Sequence, residues 1–151
     1  DLHLHQSFMR ADIAGLFGLE FNKGAWEAGH VCPKNHDDQF ILVTLNKQGK
    51  VVDHQYHDYF TDGETFHWQS QNMTAPTGGK GQRLINHKAN GSKLHLFVRK
   101  NKLEAKKAAP FYYCGTMNYE SHEGEKPMSV ISTLDNELSE YLKLEFIGVV
   151  R

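Results

Sequence analysis

The chain of 151 residues holds only two cysteines, four prolines and no apolar run near the length of a membrane span. Two thiols as distant as Cys32 and Cys114 make no disulfide framework, and both are expected to be reduced. A bilayer-crossing helix needs roughly 18 or more consecutive apolar residues, and the N-terminus has no apolar core of a signal peptide, so a cytoplasmic protein with no membrane partner is expected. The chain begins at Asp1 and not at a methionine, which suggests a fragment of a larger multidomain protein. No internal repeat or low-complexity segment occurs. With 39% apolar, 11% aromatic and 23% charged residues the composition is that of a folded globule, and this length suits one domain, residues 1–151.

Acids are also missing from one long stretch. Between Lys80 and Lys107 stand nine of the seventeen Lys and Arg residues and a single acid, Glu104, a formal +8; the other eight cations and seventeen acids leave −9 elsewhere. The whole-chain charge of −1 hides this asymmetry. A concentrated positive run next to aromatic and amide side chains is the footprint of a polyanion-binding surface, and duplex DNA is the polyanion that rewards both.

Hydrophobic spacing outlines an α+β domain. Phe8, Met9, Ile13, Leu16 and Phe17 recur at helical intervals between Ser7 and Gly18. The β-branched run Gln39 to Leu45 reads as a buried strand, and Asn46 to Lys50 as a turn into a second strand from Val51 to about Tyr59. Thr65 to Gln71 alternates Phe66, Trp68 and Ser70 on a core side with His67, Gln69 and Gln71 on a wet side. Asn72 to Gly81 is rich in breakers, and a short helix is expected from Gln82 to Asn90, ending at Gly91. Lys93 to Arg99 is a strand with Leu94, Leu96 and Val98 inward and His95, Phe97 and Arg99 outward. Pro110 to Tyr119 and Ser129 to Thr133 are strands separated by a loop from Ser121 to Pro127, and a last helix is expected near Asp135, burying Leu138, Tyr141 and Leu142. About six strands and two or three short helices, without long crossover helices, specify a curled, mostly antiparallel sheet or pseudobarrel.

Several groups of residues carry candidate chemistry. Gln69 and Gln71, with His67, Ser70 and His87, suit base edges, because an amide pairs with a base in two-point fashion; Lys80, Arg83, Lys88, Arg99 and Lys100 suit phosphates. Ser121 and His122 stand in a loop able to meet a phosphate, and Tyr56, Trp68 and Tyr119 are candidates to stack an extruded base. Thr77-Gly78-Gly79-Lys80-Gly81 invites an anion-cradling loop but lacks the spacing of a nucleotide-hydrolase loop. His30-x-Cys32 with His36, and His54-x-x-His57-Asp58, hold metal-ligand types without the paired spacing of a zinc site, and no metal or cofactor is expected. Asp58 or Asp62 ahead of Gln69-Ser70-Gln71 loosely follows a magnesium nuclease pattern, with amides where a carboxylate and a lysine belong. Cys114 is expected to be a buried thiol and not a nucleophile.

The motifs Val43-Thr44-Leu45-Asn46-Lys47, Tyr56-His57-Asp58-Tyr59, Phe66-His67-Trp68-Gln69-Ser70-Gln71, Leu96-Phe97-Val98-Arg99 and Gly115-x-x-x-Tyr119, with Gly81, His87, Pro110-Phe111, Gly124 and Pro127, resemble the bacterial domain of unknown function 3427 family. The resemblance covers about residues 40 to 145. It implies a C-terminal domain attached to a phospholipase-D-like nuclease and a DEAD-type helicase, or to an HNH nuclease, in restriction or phage-defence proteins of the bacterial cytoplasm. By division of labour it implies a non-catalytic reader of double-stranded DNA, with a modified or flipped base as the sharper target, on a fold like the B3 or SRA pseudobarrels. Two other readings stand beside it: a divalent-metal nuclease, and a protein-docking module that regulates the parent helicase.

Overall fold

A computed structural model describes residues 2–34, 36–46 and 58–147. The expected second strand from Val51 and most of its turn lie outside the described residues, as do His54, Tyr56 and His57. Among the described residues, ten strands and four short helices follow in the order β1 (Ser7–Phe8), α1 (Arg10–Leu16), α2 (Lys23–Trp26), β2 (His30–Val31), β3 (Gln39–Asn46), β4 (Tyr59–Phe60), β5 (Thr65–Gln69), α3 (Gly79–Ile85), β6 (Leu94–Asn101), β7 (Leu103–Glu104), β8 (Lys107–Ala108), β9 (Phe111–Glu123), β10 (Ser129–Leu134) and α4 (Glu140–Leu142), the last running into a π-helical turn, Lys143–Ile147. No helix among the described residues is long and apolar enough to cross a membrane.

One large sheet orders its strands β2-β3-β6-β9-β10-β5-β4, with β1 beside β9; of these described strands only β3 and β6 run parallel to each other. Both are buried on both faces, which is why their sequences read as near-continuous apolar runs. Ile41, Val43, Leu45, Leu94, Leu96 and Val98 face an inner core shared with Phe66, Trp68, Met117, Val130, Leu84 of α3 and Leu142 of α4. On the outer face Phe40, Leu42, Phe97, Phe111 and Tyr113 are covered by Ile13 and Ala14 of α1 and Trp26 of α2. A single sheet thus separates two apolar layers.

The sheet curls without closing. His30 in β2 and Trp68 in β5 are five strands apart, which on a flat sheet is about 24 Å. Their ring centroids lie 6.3 Å apart. Two irregularities bend the long strand β9: one where the β6 register shifts between His95 and Phe97, beside Gly115 at φ +85°, and one opposite Ile131 and Ser132. Strand β9 pairs with β6 along its first half and β10 along its second, so bending it folds one half of the sheet toward the other.

Several expectations need correction. The run from Gly79 is helix and not loop: α3 starts at Gly79, three residues before the expected Gln82, and closes with Ile85. Strand β9 continues through Ser121 and His122 to Glu123, because β10 pairs with it there. Asp135 does not cap the last helix; it accepts from Thr116 and Asn118, and Ser139 caps α4 instead. Tyr141 is exposed while Leu138 and Leu142 are buried.

Arg99 does not reach outward. It is 7% exposed, donates from Nε to Thr44 Oγ1 at 2.8 Å and from a terminal nitrogen to the Ala109 carbonyl at 3.1 Å, and lies 4.2 Å over the Phe111 ring. Arg10, which donates to the Trp26 carbonyl at 2.6 Å, lies over the same ring. Burial, with the nearby Arg10 charge, pushes Arg99 down to about 10. Arg99 therefore ties β3 to β6 beneath α2. Arg99→Ala is expected to cost about 2 kcal/mol in urea unfolding, because two acceptors are orphaned, and to leave the salt dependence of any nucleic-acid binding unchanged.

Candidate nucleic-acid interface

The curl leaves an open seam between the β2–β3 edge and β5. A cavity of about 500 Å³ lies in it, lined by Glu27 to Gly29 ahead of β2, His30 of β2, Leu42, Val43 and Thr44 from β3, Asp58 ahead of β4, and Trp68 to Asn72 at and beyond the end of β5. Lys80 of α3 spans the two edges: its ammonium donates to the His30 carbonyl at 2.5 Å and to Gln71 Oε1 at 2.7 Å. The Gln69 backbone N–H donates to Asp58 Oδ1 at 2.8 Å, tying the segment before β4 to β5. Polar groups from four elements thus converge beside an indole edge, the composition typical of a small-ligand pocket of this size.

Alternation along β5 behaves as its sequence indicates. Phe66, Trp68 and Ser70 are buried, and His67, Gln69 and Gln71 are half-exposed. The first set is held by the core: Trp68 donates from Nε1 to Ser132 Oγ at 3.2 Å, and Ser70 Oγ accepts from the Met128 N–H at 2.8 Å. Trp68 consequently lines the seam as a wall of the core, not as a mobile stacking arm. The outer face of β4, β5, β9 and β10 bears a second groove of about 510 Å³ holding His67, Gln69, Ser121 and His122. There His67 stacks on Tyr59 with centroids 4.7 Å apart and an 8° tilt. The Tyr119 hydroxyl and His122 Nδ1 are 2.5 Å apart, and Tyr119 lies outside the seam.

The cations do not form one face. Lys93 and Lys100 stand at opposite ends of β6, about 23 Å apart at the rise of an extended strand. Lys100, Lys102, Lys106 and Lys107 gather at the far end with the β7–β8 hairpin, while Lys88 and Lys93 are exposed at the near end. Lys80, on α3, is the member of the run that bonds to seam residues, while Arg83 is half-buried and meets Gln39 through its backbone carbonyl; Lys34 joins Lys80 in a neighbouring groove of about 1000 Å³ between α2 and β2. His87 is 3% exposed and structural: Nδ1 bonds to the Ser92 carbonyl at 2.8 Å and Nε2 accepts from the Tyr119 N–H at 3.1 Å. It meets no base edge from there.

Gly81 explains the glycine-rich run differently from an anion cradle. A Cβ built at this position falls 1.9 Å from the Ala75 carbonyl oxygen, so the glycine permits α3 to pack on the preceding turn. Cys114 is fully buried, and burial raises its thiol far above the ordinary range. His30 and Cys32 are adjacent, with Nε2 and Sγ 3.5 Å apart, yet His36 turns to the Asp38 N–H at 3.0 Å. Among the described residues no three His, Cys, Asp or Glu side chains form a metal-holding group.

Reasoning from the sequence misses the seam residues His30, Thr44 and Glu27 as base or phosphate partners. Asp58 is legible there only as a nuclease carboxylate. No local pattern marks these four as neighbours, since each lies on a different element.

A family model described as "Domain of unknown function (DUF3427)" matches residues 2–146. No curated protein matches. Among solved structures, the chain is similar to one titled "MspJI Restriction Endonuclease in Complex with 27-mer Oligonucleotide", at 19% identity and a TM-score of 0.49, over 71% of this chain and 32% of that one. The match thus spans about a third of the length of that endonuclease.

Proposed function

The chain belongs to the family described as domain of unknown function 3427, and on that footing we propose that it is a target-recognition module for duplex DNA that receives an extruded base in its seam. The observation that carries this reading is the cavity of about 500 Å³ where Gln69, Gln71, Asp58, Thr44 and His30 meet beside Trp68. Its volume lies in the range of small-ligand pockets, and a flipped nucleotide is the polyanion component that fills such a pocket. Extrusion costs a few kcal/mol, which a polar, partly desolvated pocket offsets through hydrogen bonds to the base edge. Lys34, which shares a groove with Lys80, and Arg83, one turn along α3 from Lys80, are the cations assigned to the phosphates flanking that nucleotide. Lys80 holds the seam's edges together and orients Gln71. The role is recognition; cutting and strand separation belong to the parent protein's other domains.

Selection of the full chain on randomised and base-modified duplexes, in magnesium and over a salt series, tests this. Intact DNA should be retained, and affinity should fall with salt. Arg83→Glu is expected to weaken every duplex alike and to reduce the log–log salt slope by about 0.9 for each phosphate no longer neutralised, whereas Gln69→Ala is expected to change preference among duplexes. Absence of measurable binding at low salt would remove the proposal, and cleavage in magnesium would replace it with the nuclease reading.

A further inference from the structure

Residues 102–108 are exposed without a break, on both faces of the β7–β8 hairpin, and none of them joins either apolar layer. The Ala109 N–H closes the root of the hairpin on the Lys102 carbonyl at 2.9 Å. A two-stranded ribbon that buries no apolar surface gains little stability from its own hydrogen bonds. Its turn works against it as well. Leu103 pairs with Ala108 and Glu104 with Lys107, so Ala105 and Lys106 form a two-residue loop, and both have positive φ, +51° and +69°. Asparagine and glycine suit such a loop, whereas a side chain such as alanine or lysine is strained in it.

Charge adds a third cost. Lys100, Lys102, Lys106 and Lys107 stand against the single acid Glu104, a formal +3 over residues 100–107. Among the described residues none of these four ammonium groups has a hydrogen-bond or ion-pair partner. Like charges held this close repel one another, and a multivalent anion relieves the repulsion. The ribbon therefore does nothing for the core, and its lysines act outward.

Position and shape narrow the partner. Strand β6 passes the seam at Phe97 to Arg99, the register partners of Leu42 to Thr44. Lys102 follows Arg99 by three residues, so the lysines of the ribbon fall within about 25 Å of the seam, up to about seven steps of 3.4 Å along a duplex. Lys100, at the root, lines a cavity of about 380 Å³ that shares Asp58 with the seam, so the two are contiguous. Paired strands lie about 4.8 Å apart, and the major groove of B-DNA, about 12 Å wide, admits a two-stranded ribbon between its phosphate walls.

We infer that the β7–β8 ribbon is a second DNA-contacting element, which enters the major groove of the duplex beside the seam. Lys102, Lys106 and Lys107 meet the phosphates of the groove walls, and Lys100 meets the backbone between ribbon and seam. This rests on the duplex-binding reading above but not on an extruded base. The ribbon holds and orients the flanking duplex through charge and shape, without reading base identity.

The test uses the full chain and a guanine-containing duplex of about 20 base pairs, about two helical turns, taken from the selection above. Replacing Lys102, Lys106 and Lys107 together by Gln is expected to lower affinity about ten-fold or more at about 0.1 M salt, and to reduce the log–log salt slope by about 0.9 for each lysine. Lys93→Gln, at the opposite end of β6, is expected to leave the slope unchanged. Because the ribbon packs on neither layer, the urea midpoint of the triple variant should equal that of the native chain. Guanine N7 atoms face the major groove; the native chain should protect them from methylation, and the triple variant should leave them reactive. An unchanged slope in the triple variant, unprotected N7 atoms, or an equal loss of affinity for a single strand of the same sequence would overturn the inference and leave the duplex reading in place. Lysine on a bare strand edge also deters edge-to-edge pairing, so a triple variant that self-associates but binds duplex like the native chain would assign the lysines to that role instead. No duplex binding by the native chain at low salt would remove both readings.

Discussion

Gly81→Ala is expected to destabilise the domain by about 3 kcal/mol or more, because the new methyl has nowhere to go. Its carbon would stand 1.9 Å from the Ala75 oxygen, 2.8 Å from the Ala75 carbonyl carbon and 3.1 Å from Pro76 Cα, all of them backbone. The turn beneath cannot yield cheaply: Ala75 O accepts from the Gly78 N–H at 2.9 Å, and Thr74 O accepts from the Lys126 N–H at 2.8 Å. Relief would have to come from moving α3, and α3 carries Leu84 into the inner core and Lys80 across the seam. The variant should therefore lose base preference along with stability. Gly79→Ala is the matched control: nothing lies within 4 Å of its added carbon, and a change of about 0.5 kcal/mol in either direction is expected. Urea unfolding of the two variants decides the matter, and equal midpoints would show that α3 does not rest on that carbonyl.

Acid is the second large perturbation. His30 is held neutral by burial, with a pKa of about 4, against about 6.5 in an unfolded chain. As pH falls below about 6.5 the unfolded chain takes up a proton that the folded chain refuses, so stability is full above that point, declines through the window and levels off below about 4. The loss for this one group approaches about 3 kcal/mol. His87 and His95 are lowered by burial as well, and they add to the decline in the same direction. Asp38 extends it: its burial is outweighed by bonds from His95 and the Lys93 N–H, so its pKa lies below the ordinary value and stability is lost as that carboxylate protonates. Chemical unfolding at about pH 7, 6, 5 and 4, followed alongside the His30 ring resonances, checks both parts. A His30 midpoint near its ordinary, unfolded value would mean that the ring is not held away from water between β2 and β3.

Much of the architecture is readable residue by residue. Gln39 to Leu45 reads as a buried strand and Leu94 to Val98 as a strand whose His95 and Phe97 side, expected outward, is in fact buried, and Thr65 to Gln71 declares its inner and outer sides through strict alternation. Where reading along the chain failed, a partner distant in sequence had intervened. Ser121 and His122 look like loop until β10 pairs with them, and Gly79 to Gly81 look like loop until the Ala75 carbonyl requires a residue without Cβ. Arg99 follows the outward side of its strand as alternation dictates, but that side is roofed by α1 and α2, so a residue expected in solvent lies on Phe111.

The sequence alone therefore settled that Gln39 to Leu45, Thr65 to Gln69, Leu94 to Arg99 and Ser129 to Thr133 are strands, that Phe66 and Trp68 face inward, and that cations are concentrated between Lys80 and Lys107, because each of these follows from periodicity or composition within a single element. Only the tertiary structure decided where those groups meet. Curl accumulates from strand twist and the bends in β9 over five strand spacings, and it sets His30 against Trp68 while Lys93 and Lys100 stay at opposite ends of β6. Local pattern can say which way a side chain faces from its own backbone, and the site depends on what stands opposite.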